Sequence, residues 1–200
     1  MRKYLSGLIF CTLLWSGCVR DKAPEISIDG QYVSKISGDT IFTENGLSMT
    51  MDSVEKVFYL TRHAEKDSIP ADNPLLTDQG LLRSTKLADI LRATRVDAIY
   101  STIFYRSLYT VDSLADVKAM VVLPYETKNL RGVIQQIDST KNIKSVLFVG
   151  HSNTIPALAN SLAGKTVFNK NWEDDEYDNF IVVLKKMNGR KEVLTLKYKP

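Results

Sequence analysis

The chain has 200 residues, 44% of them hydrophobic, enough for one well-buried domain. Its formal net charge is +3, and without Arg2 and Lys3 it is about +1. Basic residues are scattered with no aromatic-interleaved stripe, which excludes a nucleic-acid footprint. Both cysteines, Cys11 and Cys18, lie in the first 18 residues, so the rest of the chain has no disulfide framework, thiolate metal site or cysteine nucleophile.

In chain order, the basic start Met1-Arg2-Lys3 precedes an apolar run over residues 5–15, too short to span a bilayer as a stable helix. This is a secretory signal pattern. Ser16-Gly17-Cys18 resembles a bacterial lipobox, with Trp15 departing from the usual aliphatic residue, and implies that Cys18 becomes the lipidated first residue of a mature, envelope-anchored protein. An ordinary cleaved leader and a single membrane anchor are the weaker alternatives. The expected organisation is a signal peptide at 1–17, a tether at 18–24, short strands or a loosely attached hairpin within 25–52, and a main domain over 53–200. Turn signals at Asp29-Gly30, Ser37-Gly38-Asp39 and Glu44-Asn45-Gly46 punctuate the 25–52 segment.

From Val54 the pattern becomes strand-helix alternation. Predicted strands cover 54–60, 96–100, 119–123 and 145–150. Helices open at Thr77-Asp78-Gln79-Gly80, run from 105 to about 117, follow the third strand with Leu130, Val133, Ile134 and Ile137 at i, i+3, i+4, i+7, and cover 153–162 before Gly164. A closing hairpin joins 180–184 to 192–198 across Asn188-Gly189. The alternation predicts an α/β fold of three layers, a mainly parallel sheet with helices on both faces.

In such sheets ligands collect at the carboxyl ends of the strands. Those ends carry Arg62 and His63, then Ser101 and Arg106, then Glu126, then His151; the chain has no other histidine. Guanidinium forks match phosphoryl oxygens bidentately, and a neutral imidazole can attack phosphorus to form a covalent intermediate. The helix after His151 adds backbone N–H groups and a positive dipole end. No metal or cofactor is expected, and Arg62 beside His63 argues against zinc by repulsion. Asp174-Asp175-Glu176 reads as a solvated acidic loop, and Trp172 and Tyr177 as packing residues or a pocket rim.

Thr61-Arg62-His63-Ala64-Glu65 resembles the Arg-His-Gly motif of the histidine phosphatase superfamily, the phosphoglycerate-mutase-like proteins. Leu76-Thr77-Asp78-Gln79-Gly80 resembles its Leu-Thr-acid-x-Gly helix start, Ile99 to Thr110 its second block, and Val149-Gly150-His151-Ser152 its closing Gly-His. The resemblance implies His63 as the phosphorylated nucleophile, with Arg62, Arg106 and His151 completing the phosphate pocket and Ser101 as a further substrate contact. The implied proton donor is Glu126, with Glu65 the alternative. Ala64 replaces the commoner glycine, as in members resembling protein phosphohistidine phosphatases, and Lys66 stands where a small hydroxyl residue is frequent. The implied activity is hydrolysis of phosphomonoesters or phosphohistidine, on a phosphorylated small molecule or phosphoprotein. The competing readings are a mutase and a non-catalytic envelope lipoprotein that keeps the fold as a binding module.

Overall fold

The computed structural model describes residues 27–200; the signal segment and the Cys18 tether expected from the sequence lie outside them. A six-stranded sheet forms the middle layer. Its strands, in chain order after three short ones (β1 Val33–Ser37, β2 Thr40–Thr43, β3 Ser48–Thr50), are β4 Val54–Arg62, β5 Ala98–Ser101, β6 Val122–Pro124, β7 Ser145–Gly150, β8 Asn179–Lys186 and β9 Lys191–Lys197. The order across the sheet is β6-β5-β7-β4-β8-β9. β4 to β7 pair in parallel, while β8 runs antiparallel to β4 and β9 antiparallel to β8, so the sheet is mixed with a parallel half.

Side chains alternate across each strand, and the two faces have separate cores. Val57 and Tyr59 of β4 face one core with helices α1 (Asp78–Leu91) and α2 (Tyr105–Lys118). Phe58 and Leu60 face the other with α3 (Leu130–Ser139) and α4 (Thr154–Ala163). The three layers follow from that period of two. β1, β2 and β3 form a second small antiparallel sheet, and Val33, Ile36 and Ile41 are fully buried in the α1–α2 core. Of the two expectations for this segment, short strands fit and a loosely attached hairpin does not.

One sequence expectation shifts for a local reason. The strand expected at 119–123 begins only at Val122, because Ala119 closes α2 in the left-handed region, φ 52°, with its N–H on Ala115 and Asp116 carbonyls. In α1, Leu81 and Leu82 are exposed, whereas Arg83, Ser84, Leu87, Ala88, Ile90 and Leu91 are buried. The buried stripe of this helix therefore includes an arginine, whose partner, Glu65, lies on the loop after β4.

The start of α1 is held against the loop after β4. Thr77 caps the helix by accepting from the Gly80 N–H, and its own N–H donates to the Glu65 carbonyl at 3.0 Å. A Cβ at position 80 would overlap that same carbonyl oxygen, so only glycine allows this approach. Among the described residues no helix is long and apolar enough to cross a membrane.

Candidate active site

β4 and β7 set the site through their register. Arg62 lies opposite Gly150, so the two strands end together and each is followed at once by a histidine. The His63 N–H donates to the Gly150 carbonyl at 2.8 Å, which ties the two strand ends. The imidazoles meet edge to face with centroids 5.4 Å apart. His151 stands immediately before α4, its carbonyl accepting from the Thr154 and Ile155 N–H groups and its N–H donating to Thr154 Oγ1 at 2.8 Å. A Cβ on Gly150 would press on the Tyr125 and Thr154 hydroxyls at 2.6 and 2.7 Å, so the glycine lets this corner close.

The His63 ring is fixed by Nδ1, which lies 2.8 Å from the Ala64 carbonyl. A carbonyl only accepts, so Nδ1 carries the proton and Nε2 keeps its lone pair. The Ala64 N–H in turn donates to Thr110 Oγ1 at 2.8 Å, and that hydroxyl donates to the Arg106 carbonyl, so α2 braces the loop. Burial pulls the His63 pKa from the ordinary 6.5 to about 3; the Ala64 bond opposes this, and Arg62, His151 and Arg106 add to it. His151 is lowered to about 4, first by burial and then by Arg106 and Arg62. Both imidazoles are therefore neutral at ordinary pH.

Two guanidinium groups complete the cluster. Arg62 is 3% exposed. Its Nη1 donates to the carbonyls of Glu173 and Asp174 at 2.7 and 3.1 Å, and to that of Glu176 at 3.4 Å, while the Tyr177 ring covers it at 4.3 Å. Its contact with the Asp174 carboxylate is long, 3.9 Å, and that carboxylate is fully in water, so the carbonyls rather than the ion pair hold the charge. Arg106 lies over the Phe104 ring at 4.4 Å, and burial and Arg62 lower its pKa. Nε of Arg62 and Nε of Arg106 are buried without a hydrogen-bond acceptor. Buried donors of this kind are costly unless satisfied, and an anion bound at the site would offer them acceptors.

The structure thus brings Arg62, His63, Arg106 and His151 together, and Glu126 lines a cavity that, of these four, His151 also lines. The cavity has a volume of about 720 Å³, and His151, Thr102, Phe104 and Glu126 are among its lining residues. Ser101 is not brought to it. That side chain is fully buried and its Oγ donates to the Thr102 carbonyl at 3.0 Å. Successive strand residues face opposite ways, so Thr102 lines the cavity instead, with Oγ1 donating to Ser107 Oγ and lying 3.1 Å from His151 Nε2. Since that hydroxyl has one proton, Nε2 is the donor in the second bond. Thr102 and Phe104 were not singled out in the sequence, although both fall inside the Ile99 to Thr110 block. Glu65 is engaged elsewhere: Arg83 binds its two oxygens through Nε and Nη2 at 2.7–3.0 Å and reaches the Tyr198 carbonyl with Nη1. Among the described residues no group of three or more His, Cys, Asp or Glu side chains is placed to hold a metal ion.

Comparison with solved structures identifies the architecture. A mycobacterial glucosyl-3-phosphoglycerate phosphatase superposes with a TM-score of 0.58 at 12% identity, covering 72% of this chain and 99% of its own. The same enzyme with inorganic phosphate gives 0.56 at 12% identity, over 72% and 97%. The protein histidine phosphatase SixA, complexed with tungstate, gives 0.55 at 16% identity, over 70% and 96%. The fold is that of the histidine phosphatases. No protein-family model matches the chain, and no curated protein matches it by sequence.

The Glu65–Arg83 pair predicts a structural rather than a catalytic cost on mutation. Arg83→Met strands a half-buried carboxylate and is expected to lower unfolding stability in urea by about 3 kcal/mol. Unchanged stability would leave Glu65 free for another role.

Proposed function

We propose that the protein is a phosphatase that hydrolyses phosphomonoesters or phosphohistidine through a covalent intermediate on His63. The observation that carries this reading is the His63 ring: Nδ1 is committed to the Ala64 carbonyl, Nε2 keeps its lone pair, and two guanidinium groups whose Nε donors are buried and unpartnered stand nearby. Tungstate and phosphate, the ions held by two of the structural neighbours, are tetrahedral oxyanions of the kind these groups suit.

In the first step His63 Nε2 attacks phosphorus and the bond to the leaving oxygen breaks. Arg62 and Arg106 stabilise the equatorial oxygens, His151 adds its Nε2–H once that hydrogen bond turns from Thr102 Oγ1 to the phosphate, and Glu126 gives its proton to the departing alkoxide. In the second step Glu126, now a carboxylate, takes a proton from water as the water oxygen attacks phosphorus. The phosphorus–nitrogen bond breaks, releasing inorganic phosphate and neutral His63. No step requires a cofactor. The substrate is a phosphorylated small molecule or phosphoprotein at the cell envelope, to which we assign the chain through a lipid on Cys18.

Three outcomes test these statements. Rapid quenching at neutral or alkaline pH should reveal phosphate on His63 by mass spectrometry, and His63→Ala should lower kcat by at least about 10³-fold; undiminished turnover would sink the nucleophile, and no turnover by the unmutated chain would favour a binding module. The acid side of the kcat/KM profile carries the sign of the depressed histidine values. An ordinary imidazole would lose its lone pair below 6.5, whereas His63 keeps it until about pH 3. A limb at 6–7 assigned to His63 by direct titration would contradict that. Unfolded imidazoles protonate first, so folding stability falls as pH drops from 6.5 towards 3, and activity should be read where the chain is folded. Finally, Cys18→Ser should abolish metabolic labelling with a fatty-acid analogue; persistent label would remove the anchor assignment.

A further inference from the structure

The cavity beside His151 has a composition that bears on the leaving group. Its wall includes Ile103, Phe104, Pro124 and Tyr125, and its only charged lining residues among the described ones are Glu126 and Lys128, of opposite sign. Ile103 is 71% exposed and Phe104 38%, so two large apolar side chains face water directly next to the phosphate-binding cluster. Phe104 is held in place, edge to face with His151 at 5.3 Å and under the Arg106 guanidinium. A fixed aromatic platform offers contact area at little entropic cost.

Positive charge is confined to the other side of the site. The two guanidiniums beside the histidines are Arg62, which is buried, and Arg106, which is partly buried, and Arg62 already donates Nη1 to three carbonyls. A second phosphate in the cavity would find one lysine offset by one glutamate, and Glu173, Asp174, Asp175 and Glu176 lie on the neighbouring loop. Thr102, Thr127, Asn153 and Thr154 also line the cavity, but a hydroxyl-rich leaving group seated against Ile103 and Phe104 would displace water there without regaining its hydrogen bonds. The volume, about 720 Å³, suits a small molecule rather than a folded surface.

We propose that the preferred substrate is a small phosphomonoester with one phosphate and a flat apolar, aromatic-bearing alcohol as leaving group, seated against Ile103 and Phe104. The proposal rests on the phosphatase reading above. Phosphate is transferred to His63, the alcohol oxygen takes the proton from Glu126, and the freed aromatic alcohol leaves through the cavity mouth.

The test uses esters of primary alkyl alcohols, whose oxygens leave with similar ease: ethyl phosphate, 2-phenylethyl phosphate, glucose 6-phosphate and fructose 1,6-bisphosphate, with a phosphotyrosine peptide alongside. With the full chain, kcat/KM for 2-phenylethyl phosphate should exceed that for ethyl phosphate and glucose 6-phosphate by about tenfold or more. Ile103→Asn, a change at an exposed position, should narrow the phenylethyl-to-ethyl ratio by about threefold or more through KM. Equal values across the esters, or preference for the sugar phosphate, the bisphosphate or the peptide, would overturn the leaving-group proposal and leave the phosphatase reading standing. No turnover of any ester and no phosphate on His63 would overturn both.

Discussion

The parallel register of β4 on β7 is the constraint on which the site depends. With Arg62 opposite Gly150, both strands release their chains at the same level and both histidines emerge into one space. A slip of one residue would send every β4 side chain to the opposite face, exchanging the two cores as well as the pocket. The register is therefore fixed by far more than the site: Tyr59, Leu60, Phe148 and Val149 are all fully buried on one face or the other. Packing of the sheet is what places the imidazoles 5.4 Å apart.

Given that placement, the electrostatics follow. Two arginines in one cleft repel each other and would be expelled from a simple apolar core. Arg62 stays because backbone carbonyls of the 173–176 segment accept its Nη1 protons and Tyr177 offers its ring face. Arg106 stays over Phe104. The positive field so assembled is one reason, after burial, that both histidines are neutral. A neutral imidazole beside fixed cations keeps its lone pair while its surroundings favour an anion, the combination that nucleophilic attack on a phosphate needs.

Most of the architecture was legible because it is periodic. The alternation of Val57, Phe58, Tyr59 and Leu60, and the spacing of Leu130, Val133, Ile134 and Ile137, reflect burial that repeats every 2 or 3.6 residues. The four strand-end residues could be found because the ends of parallel strands share an edge. What could not be read were contacts without a period. In the acidic run Asp174 and Asp175 are exposed, but the Asp174 and Glu176 carbonyls accept from Arg62, and no side-chain pattern records that. The same holds for the exchange of Ser101 for Thr102, which turns on where β5 ends within a single residue. Arg83 was hidden for a different reason: its place in the buried stripe of α1 makes sense only once Glu65, 18 residues earlier, folds against it.

That last pair bears on which carboxylate serves as the acid. A proton donor has to stand where the leaving oxygen departs, opposite the attacking nitrogen, and has to exchange its proton within each turnover. Glu65 is held on both oxygens by a permanently charged guanidinium that also reaches Tyr198, which favours a fixed carboxylate over one that cycles. Glu126 is exposed, lies just after β6, and lines the same cavity as His151, Phe104 and Ile103. On the proposed reading, one side of the site carries fixed positive charge for the phosphate, and the other carries a mobile acid beside apolar walls for the alcohol. On that same reading β4 and β7, with Arg106 after β5, serve the phosphate, and residues 103, 104 and 126 serve the leaving group.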